Sequence, residues 1–113
     1  MIAKLLLVAL GGAAGSAARF GVGLALPFPL ATAAINILGS LLIGLAWTTL
    51  DPRWHPLVMV GLLGGFTTFS AFSLETLRLA EAGRIGTALA YVGGSVILSL
   101  VACWLGITLG RAS

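Results

Sequence analysis

The chain has 113 residues, of which 59% are apolar and 8% charged, whereas an ordinary soluble domain carries roughly 25% charged residues. That excludes a water-soluble globular fold. The formal net charge of +3 comes from six basic residues spread from Lys4 to Arg111, so no basic patch exists for nucleic acid, and no nucleotide-binding motif is present. The single cysteine, Cys103, can make no internal disulfide.

A membrane-spanning helix takes about 20 apolar residues. Four such runs consume nearly the whole chain and predict one all-α transmembrane domain over residues 1–113, with helices at about 4–26, 30–50, 57–79 and 85–109. The first run follows Lys4 and ends in small residues, as a signal peptide would. Three more membrane-length runs follow it, however, so it reads as a first transmembrane helix. Its small residues recur four apart, Gly11 with Gly15, Gly12 with Ser16 and Ala14 with Ala18. Such spacing serves close helix packing in lipid, either inside one subunit or at a seam between two. Arg19, near the end of the run, is expected to snorkel toward the interface. Pro27-Phe28-Pro29 ends the helix.

The second run carries Thr32, Asn36 and Ser40 at four-residue spacing, which places them on one helix face. Hydroxyls in such helices commonly act as interhelical glue. The Asn36 amide is costly to leave unpaired in hydrocarbon, and for it both glue and function stay open. The run ends at the polar loop Asp51 to Pro56, where His55 reads as a solvated surface side chain.

The third run contains Gly64 to Phe72, reading GGFTTFSAF. Adjacent glycines weaken a helix, and irregular backbone at bilayer depth is tolerated only where it is buried in protein or lines an aqueous cavity. A break near Gly64–Thr67 is therefore expected to mark a site. Carbonyls freed by unwinding must find other partners. Those of Gly64 and Thr67 are the obvious candidates, and a monovalent cation, water or a neighbouring hydroxyl would satisfy them. Phe69 and Phe72, three apart, can present ring edges on one side and bracket Ser70; apolar filler is the alternative. Glu75 sits three residues before Arg78, which predicts an i,i+3 ion pair near the surface, with an acid guarding a vestibule as the second reading. After Glu81 to Arg84, the fourth run carries another polar stripe, Tyr91, Ser95 and Ser99.

In a four-span topology Lys4, Arg53 and Arg111 fall on one side of the membrane and Arg78 with Arg84 on the other. So little asymmetry permits insertion in both orientations, which makes an antiparallel homodimer conceivable. Catalysis lacks its parts: there is no metal-ligand cluster, and no serine has a membrane-embedded base to pair with. A lining of O–H and N–H donors, by contrast, can replace the hydration shell of a small anion without a full charge that would trap it. Aromatic edges, positive at the rim, add to this.

These residues resemble the Fluc or CrcB fluoride channels over essentially the whole length. The resemblance rests on the small-residue spacing leading to Arg19-Phe20, on Asn36-Ile37-Leu38-Gly39-Ser40, and above all on Gly64-Gly65-Phe66-Thr67-Thr68-Phe69-Ser70-Ala71-Phe72. It implies a passive, selective channel that exports fluoride through the prokaryotic inner membrane and relieves fluoride toxicity. It also implies a dual-topology antiparallel homodimer with two pathways and a structural sodium ion (Na+) at its centre. Carried over, Gly64 and Thr67 would give carbonyls to the sodium, Phe69 and Phe72 would line the pathways, and Asn36 would orient beside them. Tyr91, Ser95 and Ser99 match the polar track, with Ser70 contributing, and Glu75 matches the family's acidic position. Ala71 departs from the pattern, since a threonine often stands there.

The strongest alternative is a proton-coupled exporter of the small multidrug resistance type, also a short four-helix antiparallel dimer. Such carriers need an acid in the first helix, and Met1 to Leu50 contains none. A non-transporting assembly factor would explain the small residues but not two hydroxyl stripes and a broken helix.

Overall fold

With no proline between Ile2 and Ala25, the first apolar run winds without interruption. In the computed structural model, which describes residues 1–113, it forms α1 (Ile2–Ala25, 24 residues). That is about 36 Å of helix, enough to cross a hydrocarbon core of about 30 Å. Leu26 turns extended (φ −114°, ψ 143°) ahead of Pro27, where proline disfavours helical backbone in its predecessor. The second run forms α2 (Leu30–Thr49). In the polar loop, Asp51 accepts the Arg53 amide at 3.0 Å and starts a single 3₁₀ turn, Pro52–Trp54.

The third span is two helices. The first, α3, covers residues 56–66; it is π-helical over Pro56–Leu63 and α-helical over Gly64–Phe66. The second is α4 (Phe69–Glu81). A turn through Gly83, at φ 80°, a conformation glycine adopts without penalty, leads to α5 (Ile85–Ala112, 28 residues). Four segments are long and apolar enough to span a membrane, the third running Pro52–Glu81.

The interruption lies one step later than the glycines suggest. Gly64 and Gly65 stay helical, and the extended residues are Thr67 (φ −81°, ψ 159°) and Thr68 (φ −153°, ψ 126°). The physical reason is that Gly65 serves contact rather than unwinding: a Cβ there would approach the Gly12 carbonyl at 2.8 Å and the Ser16 hydroxyl at 3.3 Å. A new helix then starts because Thr68 caps it, its Oγ1 accepting the Ala71 amide at 3.2 Å.

Only 17 of 113 residues are buried, so the chain turns most of its apolar side chains outward, as lipid as a solvent allows. Two backbone-to-backbone seams hold it together, α1 on α3 and α2 on α5. A Cβ on Gly11 or Gly15 would run into the Leu57 or Leu62 carbonyl, and one on Gly44 or Gly106 into the carbonyl of Cys103 or Leu41. The Gly11–Gly15 pair thus packs inside one subunit, while Ala14 and Ala18 remain exposed.

Candidate functional site

The break is held from α2 by one side chain. Asn36 Oδ1 accepts the Thr68 amide at 2.8 Å and its Nδ2 donates to the Thr68 carbonyl at 3.0 Å. The side-chain amide thereby pairs with extended backbone as a neighbouring strand would. The consequence reaches back one turn, since Thr68 N–H is the amide that would bond the Gly64 carbonyl in an unbroken helix. Asn36 diverts it. Leu63 is the last residue before the break to keep its partner, receiving both the Thr67 amide and the Thr67 hydroxyl at 3.0 Å.

A cavity of about 380 Å³ opens beside this break. It takes Asn36 and Ser40 from α2, Thr67, Thr68, Phe69 and Phe72 from the third span, and Ser95 and Ser99 from α5. Ser95 Oγ is fully buried without a hydrogen-bond partner, an O–H donor left unspent against the cavity. Asn36 retains one N–H after its two bonds to Thr68, because a primary amide has two donors. The rings of Phe69 and Phe72 lie 5.5 Å apart at 46°, but they differ in setting: Phe72 is buried at 8% exposure and Phe69 is 77% exposed.

A second cavity of about 290 Å³ lies on the other side of the break and is lined by Arg19, Thr32, Thr68, Ala71 and Glu75 among others. Thr68 alone borders both. Glu75 is not paired with Arg78. Its two oxygens accept from Thr32 Oγ1 and from the Tyr91 hydroxyl, each at 2.9 Å, and Arg78 instead lies over the Phe28 ring at 4.6 Å. The expected i,i+3 pair fails because Glu75 points inward, to a buried threonine and a buried tyrosine, whereas Arg78 is exposed.

Three further expectations shift. Tyr91 leaves the polar stripe of α5 for Glu75 and packs on Phe72 with ring centres 5.3 Å apart, so only Ser95 and Ser99 reach the first cavity. Ser70 is exposed and lines neither cavity, its hydroxyl 3.3 Å from that of Thr68. Arg19 does not snorkel; its Nε donates to the Gly65 carbonyl at 3.1 Å. Thr68 was legible as a helix-capping residue in Thr68-Phe69-Ser70-Ala71, a signal overshadowed by the glycines before it.

Residues 6–107 match the family described as CrcB-like protein, Camphor Resistance (CrcB). The chain belongs to this family. Among its relatives are proteins named fluoride-specific ion channel FluC. That of Paracoccus denitrificans is 53% identical, over 92% of this chain and 91% of its own. Those of Acidobacterium capsulatum and Stutzerimonas stutzeri are 47% and 43% identical, covering 96% of both chains in the first case and 98% and 99% in the second. With four spans and relatives of this kind, the chain is a multi-pass bacterial membrane protein.

Proposed function

We propose that this protein is a passive fluoride channel that lets the anion leave the cell down its gradient and so relieves fluoride toxicity. The observation that carries the reading is the first cavity, where unspent neutral donors stand beside two phenylalanine rings. Ser95 Oγ and the free Asn36 N–H can replace water around a small anion, and ring edges add a positive rim. The name its relatives carry agrees with this chemistry. It also favours a channel over an enzyme or a proton-coupled drug exporter, for which no acid is available before Asp51.

The working unit is an antiparallel homodimer. Phe69 supports it: a residue that lines the cavity yet is 77% exposed in the protomer is covered if a second copy packs there. Gly64 and Thr67 suit a structural sodium ion. The Gly64 carbonyl has lost the Thr68 amide to Asn36, and a Cβ on Gly64 would meet only the Met59 carbonyl, at 3.5 Å. Two carbonyls from one chain make half a shell, and a symmetry mate would complete it. Within the chain, Asn36, Phe69, Phe72, Ser95 and Ser99 form the pathway. Glu75 with Tyr91 and Thr32 forms its inward-facing acidic side.

The test is efflux from liposomes loaded with potassium fluoride or potassium chloride and given valinomycin. Fluoride should leave rapidly and chloride hardly at all, and Phe69→Ile should slow fluoride while the protein stays folded. Comparable chloride efflux overturns the assignment.

A further inference from the structure

We propose that Arg19 is a positioning residue for the break in the third span, its guanidinium standing in for the backbone amide that the break removes from the Gly65 carbonyl. In an unbroken helix Gly65 O would accept from Phe69 N–H, four residues on. The extended pair Thr67–Thr68 carries Phe69 away into α4, of which it is the first residue. Arg19 Nε reaches the abandoned oxygen from α1 at 3.1 Å.

The approach is built into the seam between α1 and α3. Gly15 lies one turn before Arg19 on the same helix face, and a Cβ on it would collide with the Leu62 carbonyl and come within 2.8 Å of the Phe66 amide. Gly65 in turn sits against Gly12 and Ser16. With both backbones in contact, a side chain one turn beyond Gly15 arrives beside the end of α3. Arg19 lies six residues before the end of α1, about 9 Å along the axis, at a depth where a cation is costly. It has no carboxylate, because the chain's only ion pair is Arg53 with Asp51. Glu75 lines the same cavity but is committed to Thr32 and Tyr91. The cation therefore stays charged and is solvated by a carbonyl dipole, and its charge makes that bond stronger than an amide's would be.

The break then has two clamps from opposite sides. Asn36 of α2 holds Thr68, and Arg19 of α1 holds Gly65, three residues earlier. Between them they fix the direction in which the chain enters α4, and so where Phe69 and Phe72 stand. Arg19 also gives neighbouring carbonyls different roles, since Gly65 takes a resident cation and Gly64 is left free.

The functional half of this proposal rests on the reading of the chain as a fluoride channel, and its test separates the two. Gly65-Phe66 is the only Gly-Phe step in the sequence. Protein labelled with carbonyl-¹³C glycine and ¹⁵N phenylalanine therefore gives one resonance that reports Gly65 C=O alone. In bilayers, Arg19→Gln should shift this resonance and lower fluoride efflux at least about tenfold, the equivalent of one charge-assisted hydrogen bond. Arg19→Lys, which keeps a charged donor, should bring both back toward wild type and keeps the test open if the glutamine variant does not fold. A Gly65 resonance unmoved by either change overturns the clamp whatever the flux. A moved resonance with unchanged flux overturns the positioning role. Flux restored by lysine with the resonance still at the glutamine value overturns it as well, because the charge would then act alone. Absence of fluoride efflux in the wild type strikes the channel reading and leaves the carbonyl measurement standing.

Discussion

The two halves of the third span are held in opposite ways. Residues 56–66 lie against α1 through glycines, main chain touching main chain, with the Arg19 bond to the Gly65 carbonyl at the last turn as the polar exception. Residues 69–81 add polar anchors, Asn36 on the cap and Thr32 and Tyr91 on Glu75, to a small apolar cluster of Phe72 and Leu79 with Ala88 and Tyr91 of α5. In lipid, where burying apolar surface gives no driving force between helices, close packing and hydrogen bonding are the two available adhesives. This span uses mainly one on each side of its break. The break is stable for that reason: the dry half cannot slide without a steric collision, and the polar half cannot leave without orphaning buried groups.

The contrast is broken most severely on the dry side. Gly15→Leu places a branched side chain where even a Cβ meets the Leu62 carbonyl. Backbone cannot yield as a side chain does, so the loss should exceed about 3 kcal/mol. Size-exclusion chromatography in detergent should show aggregated protein, and a monodisperse variant with unchanged thermal unfolding would show that the seam is looser than described.

Asn36→Leu comes next. It keeps the branched shape at Cγ and strips partners from both backbone groups of Thr68, at about 1–3 kcal/mol for each group left unsatisfied. Thr68 N–H becomes free to return to the Gly64 carbonyl, which would let the helix close across the break. Fluoride efflux should fall by at least tenfold, about 1.4 kcal/mol, and hydrogen exchange at the Thr68 amide should change. Unaltered exchange would mean that the break does not depend on Asn36.

Tyr91→Phe is the mildest. It preserves the ring packed on Phe72 and removes only the hydrogen donated to Glu75 Oε2, with Thr32 still bonded to the other oxygen. Thermal unfolding should report a loss of about 1–2 kcal/mol. A larger loss than that of Asn36→Leu would reverse the order and locate the main polar anchor at Glu75.

The four apolar helices were legible because hydropathy is a local property, whereas the two polar stripes divide in the fold: Thr32 and Tyr91 turn to Glu75, while Asn36, Ser40, Ser95 and Ser99 line the first cavity. The small-residue spacing of α1 also read correctly as packing, although Gly11 and Gly15 could equally have faced a partner. Side-chain partners were not legible. Glu75 and Arg78 are three apart, yet the carboxylate turns to Thr32 and Tyr91, 43 and 16 residues away. Arg19 pairs with a carbonyl 46 residues away. No local rule anticipates a contact that exists only once α1 and α3 lie side by side.

The stretch from Gly64 to Phe72 shows the division most clearly. Its glycines and hydroxyls pointed to a failure of the helix within it, and such a failure must be covered because irregular backbone at bilayer depth cannot face lipid. Adjacent glycines do not dictate a break by themselves, since Gly11-Gly12 and Gly93-Gly94 lie in uninterrupted α1 and α5. The exact point of failure was set by packing between helices. Gly65 is fixed in helix by its contact with Gly12, and Thr67 and Thr68 extend because Asn36 offers Thr68 the two hydrogen bonds that a helix would otherwise supply.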